Sequence, residues 1–403
     1  MSHLKKVQGG VCTAHEFVAG GISCDIKGEG KDRVDLALVY SLRNSVAAAT
    51  FTTNQVKAAP VKVSMKYMNS RNIRAVILNS GNANACTGKQ GFDDAVSMTK
   101  TAAEALNLQS QQVLVCSTGR IGVPMPMGKI TLKISSLASV LSREGGEIAA
   151  RAIMTSDTHP KESARELQMN GVSVRVGGMA KGAGMINPNM ATMLCVITTD
   201  ATISLSVLRK ALSEAVEHSF NRITIDGDMS TNDTVIVLAN GASGGPSIRA
   251  NSAEYAMFLE ALHSVCLDLA RMIVLDGEGV SKFVEVEVRG AVNHTEARSA
   301  AEAVANSILL KCAWAGNDPN WGRIMDALGY SGAKIEEDRI DIFLDQLPMV
   351  IGGVAGPTPL ANLRQVASGK AFRIGIDLKL GGGRYAALTT DLTEEYVRLN
   401  LGE

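Results

Sequence analysis

One threonine in this 403-residue chain is placed to act as a nucleophile. Thr192 closes the stretch Gly177-Gly178-Met179-Ala180-Lys181-Gly182-Ala183-Gly184-Met185-Ile186-Asn187-Pro188-Asn189-Met190-Ala191-Thr192, and the apolar run Met193-Leu194-Cys195-Val196-Ile197 follows it directly. It therefore stands at the mouth of an expected buried strand. A loop rich in glycine and broken by proline reaches backbone angles that other sequences avoid, so the Thr192 hydroxyl can be aimed at the Ala191 carbonyl. Attack there moves the acyl group from nitrogen to oxygen, and hydrolysis of the ester frees the Thr192 α-amine. With a reference pKa of about 7.7–8.0, an α-amine serves as a base near neutral pH. Nucleophile and base then share one residue, and the β-branch restricts where Oγ points. The same residues also read as an ordinary glycine-rich loop leading into a strand that opens on a β-former.

Acyl transfer through Thr192 builds an oxyanion, which needs donors fixed in place beforehand. Ser117-Thr118-Gly119 follows the apolar run Val113-Leu114-Val115-Cys116. A turn there can offer the Thr118 hydroxyl and the Gly119 N–H, the glycine permitting close approach; it can equally be a plain turn with local Ser/Thr hydrogen bonds.

The elements that must carry these groups read as mixed α/β. Asp35–Tyr40, Val46–Thr52, Ile73–Leu78 and Gln112–Cys116 have strand length and β-branched content. Asp93–Leu106 has helical period, with Val96, Ala103 and Leu106 inward and Lys100 and Glu104 outward. After Thr192 the pattern predicts strand Met193–Thr199, helix Ser204–Ser219, strands Ile223–Ile225 and Val235–Leu238, and helix Ser252–Arg271. Such irregular interleaving favours layered sheets with helices outside over a doubly wound sheet. A smaller α/β subdomain is expected at about 280–390. It holds strand Lys282–Val288, helix Thr295–Leu310, strand Ile340–Leu344, and strands Phe372–Leu380 and Tyr385–Thr390 paired across Gly381-Gly382-Gly383.

At this length more than one compact unit is expected. Lys+Arg and Asp+Glu both number 40, which leaves no footprint for nucleic acid or an anionic membrane and suits small neutral or zwitterionic metabolites. Seven scattered cysteines without a C-x-x-C pair read as reduced, mostly buried thiols. No apolar run has the length of a membrane span and no signal core follows Met1, so a cytoplasmic protein is expected. No metal is expected: the six histidines are dispersed, and Asp226-Gly227-Asp228-Met229-Ser230-Thr231-Asn232 lacks the glycine and glutamate of a calcium loop. No nucleotide cofactor is expected either, since neither a dinucleotide fingerprint nor a phosphate loop is complete. The block from Asp226 to Asp233 reads instead as a structural brace for the Thr192 region, working through side-chain-to-backbone hydrogen bonds.

Five blocks in order carry a resemblance: Asn79-Ser80-Gly81-Asn82-Ala83-Asn84-Ala85-Cys86-Thr87-Gly88; Ser117-Thr118-Gly119-Arg120-Ile121-Gly122; Met190-Ala191-Thr192-Met193-Leu194; Phe220 through Asp233; and Gly316-Asn317-Asp318-Pro319-Asn320-Trp321-Gly322-Arg323. On these the chain resembles the ornithine acetyltransferases, the glutamate N-acetyltransferases of arginine biosynthesis. The resemblance implies an α+β fold with a layered αββα sandwich, shared with an aminopeptidase type. It further implies autocatalytic cleavage between Ala191 and Thr192 into an α chain, 1–191, and a β chain, 192–403. Acetyl then passes from N2-acetylornithine to glutamate through an acetyl-Thr192 ester with ping-pong kinetics, giving ornithine and acetylglutamate, and some relatives also take acetyl-CoA. An assembly of two α and two β chains is implied as well.

By the same resemblance Thr118 and Gly119 correspond to the oxyanion donors, and Thr158, Lys181, Thr192, Glu278 and Asn400 to substrate contacts. The chemistry agrees: an ammonium suits the substrate carboxylate, and a carboxylate suits an amino group. Taken alone, a loop Lys or Glu is usually just solvated. The tail departs from the family pattern, since Leu401-Gly402-Glu403 replaces an aromatic residue and a terminal threonine, and Glu403 adds negative charge where a carboxylate is to be held. Two other readings stand beside this one. One is an N-terminal-nucleophile aminopeptidase or amidase on the same scaffold; the other is an uncleaved, non-enzymatic binding protein.

Overall fold

The computed structural model describes residues 4–30, 32–70, 72–187 and 193–401. Among these the chain forms two compact units, one of 4–182, 193–221 and 229–273, the other of 183–187, 222–228 and 274–401.

The first unit contains strands β1 (Leu4–Val7), β2 (Phe17–Ile22), β3 (Leu36–Ser41), β4 (Val46–Phe51), β5 (Ala75–Asn79), β6 (Val113–Ser117), β7 (Lys161–Met169), β8 (Val172–Lys181), β9 (Leu194–Thr199) and β10 (Thr234–Ala239). Its helices are α1 (Ala59–Tyr67), α2 (Gly88–Ala105), α3 (Met127–Ser139), α4 (Gly146–Ala152), α5 (Leu205–Glu217) and α6 (Ala253–Leu275), the last running two residues past the unit. Six strands pair in the order β1-β7-β8-β9-β10-β4, with β9 and β10 parallel and every other pair antiparallel. Four more pair as β2-β3-β5-β6, with β5 and β6 parallel.

Strands β5, β6, β9 and β10 are buried at every position, which requires cover on both faces. One face is supplied by the other sheet: Leu36, Leu38 and Ile77 share a core with Met179, Leu194, Val196, Ile236 and Leu238. Helices supply the other. Helices α1 to α3 join that core through Val63, Met98 and Ile134. On the six-stranded sheet, Asp268 and Ser264 of α6 bond Ser163 and Arg165 of β7. This is the expected αββα layering. In α2 the inward residues include Ala95, Met98, Ala102 and the expected Ala103, with Val96 and the C-cap Leu106 only half-buried, and Lys100 and Glu104 face each other at 4.0 Å in the open.

The edge of β6 is closed by a side chain. The Ser64 hydroxyl of α1 accepts from Val115 N–H at 2.9 Å and donates to Val115 O at 2.7 Å, replacing a neighbouring strand.

Four expectations are corrected. Gly177 to Lys181 is not loop but the end of β8, paired with both β7 and β9. A Cβ on Gly177 would lie 2.1 Å from the Gly10 carbonyl oxygen, so the glycine serves close packing rather than a turn. Residues 223–225 form no strand; Ile223 makes a single bridge to Leu388 after a 3₁₀ turn over Phe220–Arg222. The pairing across Gly381–Gly383 also differs, as the second unit shows.

That unit carries β11 (Phe283–Ala291), β12 (Asp341–Leu344), β13 (Leu347–Ile351), β14 (Val354–Ala355), β15 (Ala371–Asp377) and β16 (Gly383–Thr390) in the order β14-β13-β12-β15-β11-β16. Strand β15 runs parallel to β11 on one side, and β16 runs antiparallel to it on the other. They are therefore no hairpin. The connection passes over the end of β11, where Leu380 and Gly381 donate to Gly290 O, and a Cβ on Gly383 would lie 2.2 Å from Asn293 O. The glycines admit this crossing, which a hairpin pattern imitates in sequence.

Its helices are α7 (His294–Asn306), α8 (Ile308–Ala315), α9 (Trp321–Gly329), α10 (Leu360–Ala367) and α11 (Glu394–Leu399). The helix expected over 295–310 is split at Ser307, which is extended (ψ 110°) and whose hydroxyl caps α8. Strand β11 alternates as expected. Val284, Val286 and Val288 pack with Ala297, Ala301 and Val304 of α7, while Glu287 and Arg289 pair outward with Arg373 and Asp377.

Lys311 of α8 is 2% exposed and donates to Thr389 Oγ1 at 2.6 Å and Thr390 O at 2.9 Å. Burial lowers its pKa to about 7, the charges of Asp226 and Asp391 offsetting part of the cost. The unfolded lysine keeps its proton up to about pH 10.4, so between pH 7 and 10 the unfolded state binds more protons and this residue makes stability rise with pH. The Lys311→Met variant should be more stable than the parent at pH 7, with the difference shrinking towards pH 10. Denaturant unfolding checks this, and parallel pH curves for the two proteins would refute it.

Candidate functional site

Ala191 and Thr192, the expected cleavage pair and nucleophile, lie outside the described residues, as do Gly402 and Glu403 of the tail. The described backbone resumes at Met193, which is hydrogen-bonded on both sides. Met193 N–H donates to Asp233 Oδ1 at 3.0 Å, and Met193 O accepts from Thr234 N–H at 3.0 Å. Asp233 belongs to the block expected to brace this region, and it does so by the anticipated side-chain-to-backbone bond.

In the first unit, Thr118 and Gly119 leave the end of β6 beside the asparagine-rich turn that leaves β5. Thr118 N–H donates to Asn79 O at 3.0 Å, and Asn82 bridges to both Thr118 and Arg120. Asn232 ties the two turns together, its Nδ2 donating to Ala83 O at 2.7 Å and Ser117 O at 2.8 Å. Gly119 has φ +131°, and a Cβ there would stand 2.3 Å from Gly81 C and 2.5 Å from Asn82 N. Only glycine fits. No acceptor takes the Gly119 N–H among the described residues.

Lys181 ends β8 and is 3% exposed. Its ammonium lies 3.4 Å from Thr118 Oγ1, so the hydroxyl can accept from the lysine and keep its own proton to donate. The same ammonium lies 3.9 Å from Asp157, whose Oδ1 accepts from Lys161 Nζ at 2.6 Å and from Gly182 N–H at 2.7 Å. Burial pushes the Asp157 carboxyl up, but the Lys181 and Lys161 charges with the Gly182 N–H outweigh it and hold it well below the usual carboxylate range. Two lysines therefore face one carboxylate in a dry place, and ammonium groups so held are able to donate to an anion.

Sequence reasoning brought Thr118, Gly119 and Lys181 to this cluster and read the block holding Asn232 and Asp233 as a brace, but missed Asp157 and Lys161 as partners. Thr158 is exposed, with its Oγ1 3.0 Å from His159 Nδ1, and its neighbour Asp157 is the one that turns inward. A buried Asp and a buried Lys four apart look like surface charge in sequence; only the apolar surroundings of β7 and β8 reveal otherwise.

In the second unit Glu278 and Asn400 meet. Asn400 Nδ2 donates to Glu278 Oε2 at 2.9 Å and to Tyr396 O at 2.9 Å. Glu278 N–H donates to Ala183 O at 2.8 Å, and a Cβ on Gly184 would stand 2.7 Å from the Glu278 carboxyl. Helix α11 is tied down by Thr393 Oγ1 to Gly279 O at 2.6 Å and by Tyr396 Oη to Asp226 Oδ2 at 3.2 Å. Asp226 also accepts from Met185 N–H at 2.5 Å and Ile186 N–H at 2.9 Å. Burial raises its pKa more than these donors lower it.

A hydroxyl and a glycine N–H at a turn closed by asparagines, next to a buried ammonium, are placed so that both can donate to one oxyanion. The comparisons name the group. The ArgJ family model matches residues 18–402, and the chain belongs to the ArgJ family. It is 48% identical over 392 residues to the arginine biosynthesis bifunctional protein ArgJ of Symbiobacterium thermophilum, covering 97% of this chain and 98% of that one. It is 44% identical over 410 residues to the glutamate N-acetyltransferase of Methanocaldococcus jannaschii, covering 98% and 99%. A crystal structure of ArgJ from Bacillus halodurans matches at 39% identity and a TM-score of 0.49, over 51% of this chain and 97% of that one.

Proposed function

We propose that this chain is a self-processing glutamate N-acetyltransferase of arginine biosynthesis. It takes acetyl from N2-acetylornithine onto Thr192 Oγ, releases ornithine, and gives the acetyl to glutamate, with acetyl-CoA as a second donor. The observation that carries the chemistry is the Lys181–Thr118 contact beside the Gly119 N–H, which no acceptor takes among the described residues. The Thr192 α-amine freed by cleavage takes the hydroxyl proton, and the oxyanion collects hydrogen bonds from Thr118 Oγ and Gly119 N–H. The proton then goes to the leaving ornithine amine, and glutamate enters by the reverse steps. We assign the substrate carboxylate to Lys181, with Thr158 as a further contact, and the substrate amino group to Glu278, which Asn400 orients.

The same reading makes 1–191 and 192–403 separate chains that stay together, two of each in the assembly. Among the described residues no helix is long and apolar enough to cross a membrane, which agrees with a cytoplasmic place for small-molecule chemistry.

Incubation with acetylornithine, with and without glutamate, tests the proposal. Acetylglutamate formed only when glutamate is present is expected; free acetate without acetylglutamate would mark a hydrolase instead. Native mass of the cleaved enzyme should be twice the 42.4 kDa of one chain. Gly119→Ala forces a Cβ against the Gly81 backbone and shifts both donors, so kcat should drop by roughly 10²–10³ with KM little changed. A kcat within threefold of the parent in steady-state assays would remove Gly119 from the oxyanion site.

A further inference from the structure

The turn at Thr118–Gly119 and the asparagine-rich turn are bonded to each other on both sides of Gly119: Thr118 N–H donates to Asn79 O at 3.0 Å, and Ala83 N–H donates to Arg120 O at 2.9 Å. Asn232 joins this pair of turns to the six-stranded sheet. A carboxamide carries two N–H donors and an acceptor, and here both sides of it are engaged. Nδ2 gives its hydrogens to Ala83 O at 2.7 Å and Ser117 O at 2.8 Å, while Oδ1 accepts from Thr231 Oγ1 at 2.7 Å. The main chain that carries Asn232 is itself anchored beside β4, since Thr231 O accepts from Ala58 N–H and Asp233 O from Thr52 N–H, both at 2.9 Å. Asn232 N–H donates to Ser230 Oγ at 3.0 Å, and the same hydroxyl bonds the Asp233 carboxyl. Asp233 Oδ1 in turn accepts from Met193 N–H at 3.0 Å. Two successive side chains therefore reach to two places, Asn232 to the turn that holds Thr118 and Gly119, Asp233 to the entry of β9.

We propose that Asn232 is a positioning residue for the Thr118 and Gly119 donors, an inference that rests on the function proposed above. It acts through the main chain. Ser117 O is held one residue before Thr118, and Ala83 O one residue after Asn82, whose nitrogen would stand 2.5 Å from a Cβ on Gly119. Without the carboxamide the two turns keep their bonds to each other, so the fold survives, but the pair is free to shift against the sheet. A reacting group misplaced by about 1 Å costs on the order of 10²-fold in rate. Lys181 is held from the side of Asp157 and keeps its place for the substrate carboxylate. The loss therefore belongs to kcat and not to KM.

The test is steady-state kinetics of the full-length, self-processed enzyme with acetylornithine and glutamate, each kcat taken per cleaved chain counted on a denaturing gel. Folding is read by circular dichroism and protease resistance. Asn232→Ala should lower kcat at least ~10-fold with KM within about twofold of the parent's. In the Gly119→Ala background, where the donors are already displaced, the same substitution should lower kcat by no more than ~3-fold. A merely structural role would multiply the loss equally in both backgrounds. Equal losses, or a folded Asn232→Ala enzyme whose kcat falls less than ~10-fold, overturn the inference and leave the Thr118–Gly119 reading intact. A Gly119→Ala enzyme at the parent rate, or a parent that forms no acetylglutamate, overturns that reading and the inference with it. Should Asn232→Ala fail to fold or to cleave, Asn232→Asp fills the same space with a carboxyl that supplies at most one of the two hydrogens, and the same two comparisons decide.

Discussion

The Thr192→Ala variant is expected to run as a single 42.4 kDa band on a denaturing gel and to form no acetylglutamate from acetylornithine and glutamate. Both losses trace to one hydroxyl. Without Oγ the Ala191 carbonyl has no attacking group, so no α-amine is freed; without the amine and Oγ there is neither base nor ester. Binding and the proposed oxyanion donors Thr118 and Gly119 should survive the change, so acetylornithine should still raise the thermal midpoint of the variant by mass action. Either two fragments or residual turnover in this variant would place the chemistry on another residue. Thr192→Ser separates the roles further, because it keeps the hydroxyl and loses only the β-methyl; cleavage and turnover should persist at reduced rate.

A second large effect is expected at Asp157. Removing its charge leaves the ammonium groups of Lys161, which is 0% exposed, and Lys181 without their shared counter-ion. Breaking a buried pair in this way costs about 3–5 kcal/mol, so Asp157→Asn should move the denaturant midpoint far below the parent's. Substituting Lys161→Met in the same chain removes one of the two ammonium groups that Asp157 faces and should recover part of the loss. Full additivity of the two substitutions would refute the coupling. Activity should fall as well, since Lys181 sits 3.4 Å from Thr118 and its position is set from the Asp157 side. The acid limb has a fixed sign. The Asp157 pKa is depressed on folding, so its contribution is present above the unfolded value near pH 4 and is lost as pH falls towards the folded value. Asp157→Asn should therefore lose less stability than the parent on going from pH 5 to pH 2.

Strands made of continuous apolar residues were legible from sequence because nothing else in the chain looks like them. Strands β3, β4, β6 and β9 fall within two residues of their expected ends. Strands β7 and β8 were not legible, for two physical reasons. In β7, Lys161 and Arg165 point inward and find partners in Asp157 and Asp268, so the inside–outside alternation of hydrophobicity is inverted. In β8, Gly177 and Gly178 are demanded by atoms distant in sequence, Gly10 and Leu269 among them, and glycine pairs in a sequence announce loops. The turn at Thr118–Gly119, proposed as the donor site, could be read from chemistry plus the resemblance. Its scaffold could not, because Asn232 reaches Ser117 across 115 positions. Layered sheets with helices outside followed from the irregular interleaving of strands and helices, and the αββα order from the resemblance, whereas the strand order of the second unit depends on a crossing that a local pattern cannot distinguish from a turn.

The Ser64 hydroxyl on the margin of β6 has a consequence for handling the protein at high concentration. An unprotected margin with free N–H and C=O groups is a template onto which a foreign β-segment can add. Here the groups of Val115 are already taken, from a helix that offers no further rung. Ser64→Ala should leave the fold in place but open that margin, so light scattering during prolonged incubation is where the substitution would first be noticed, before any change in unfolding midpoint.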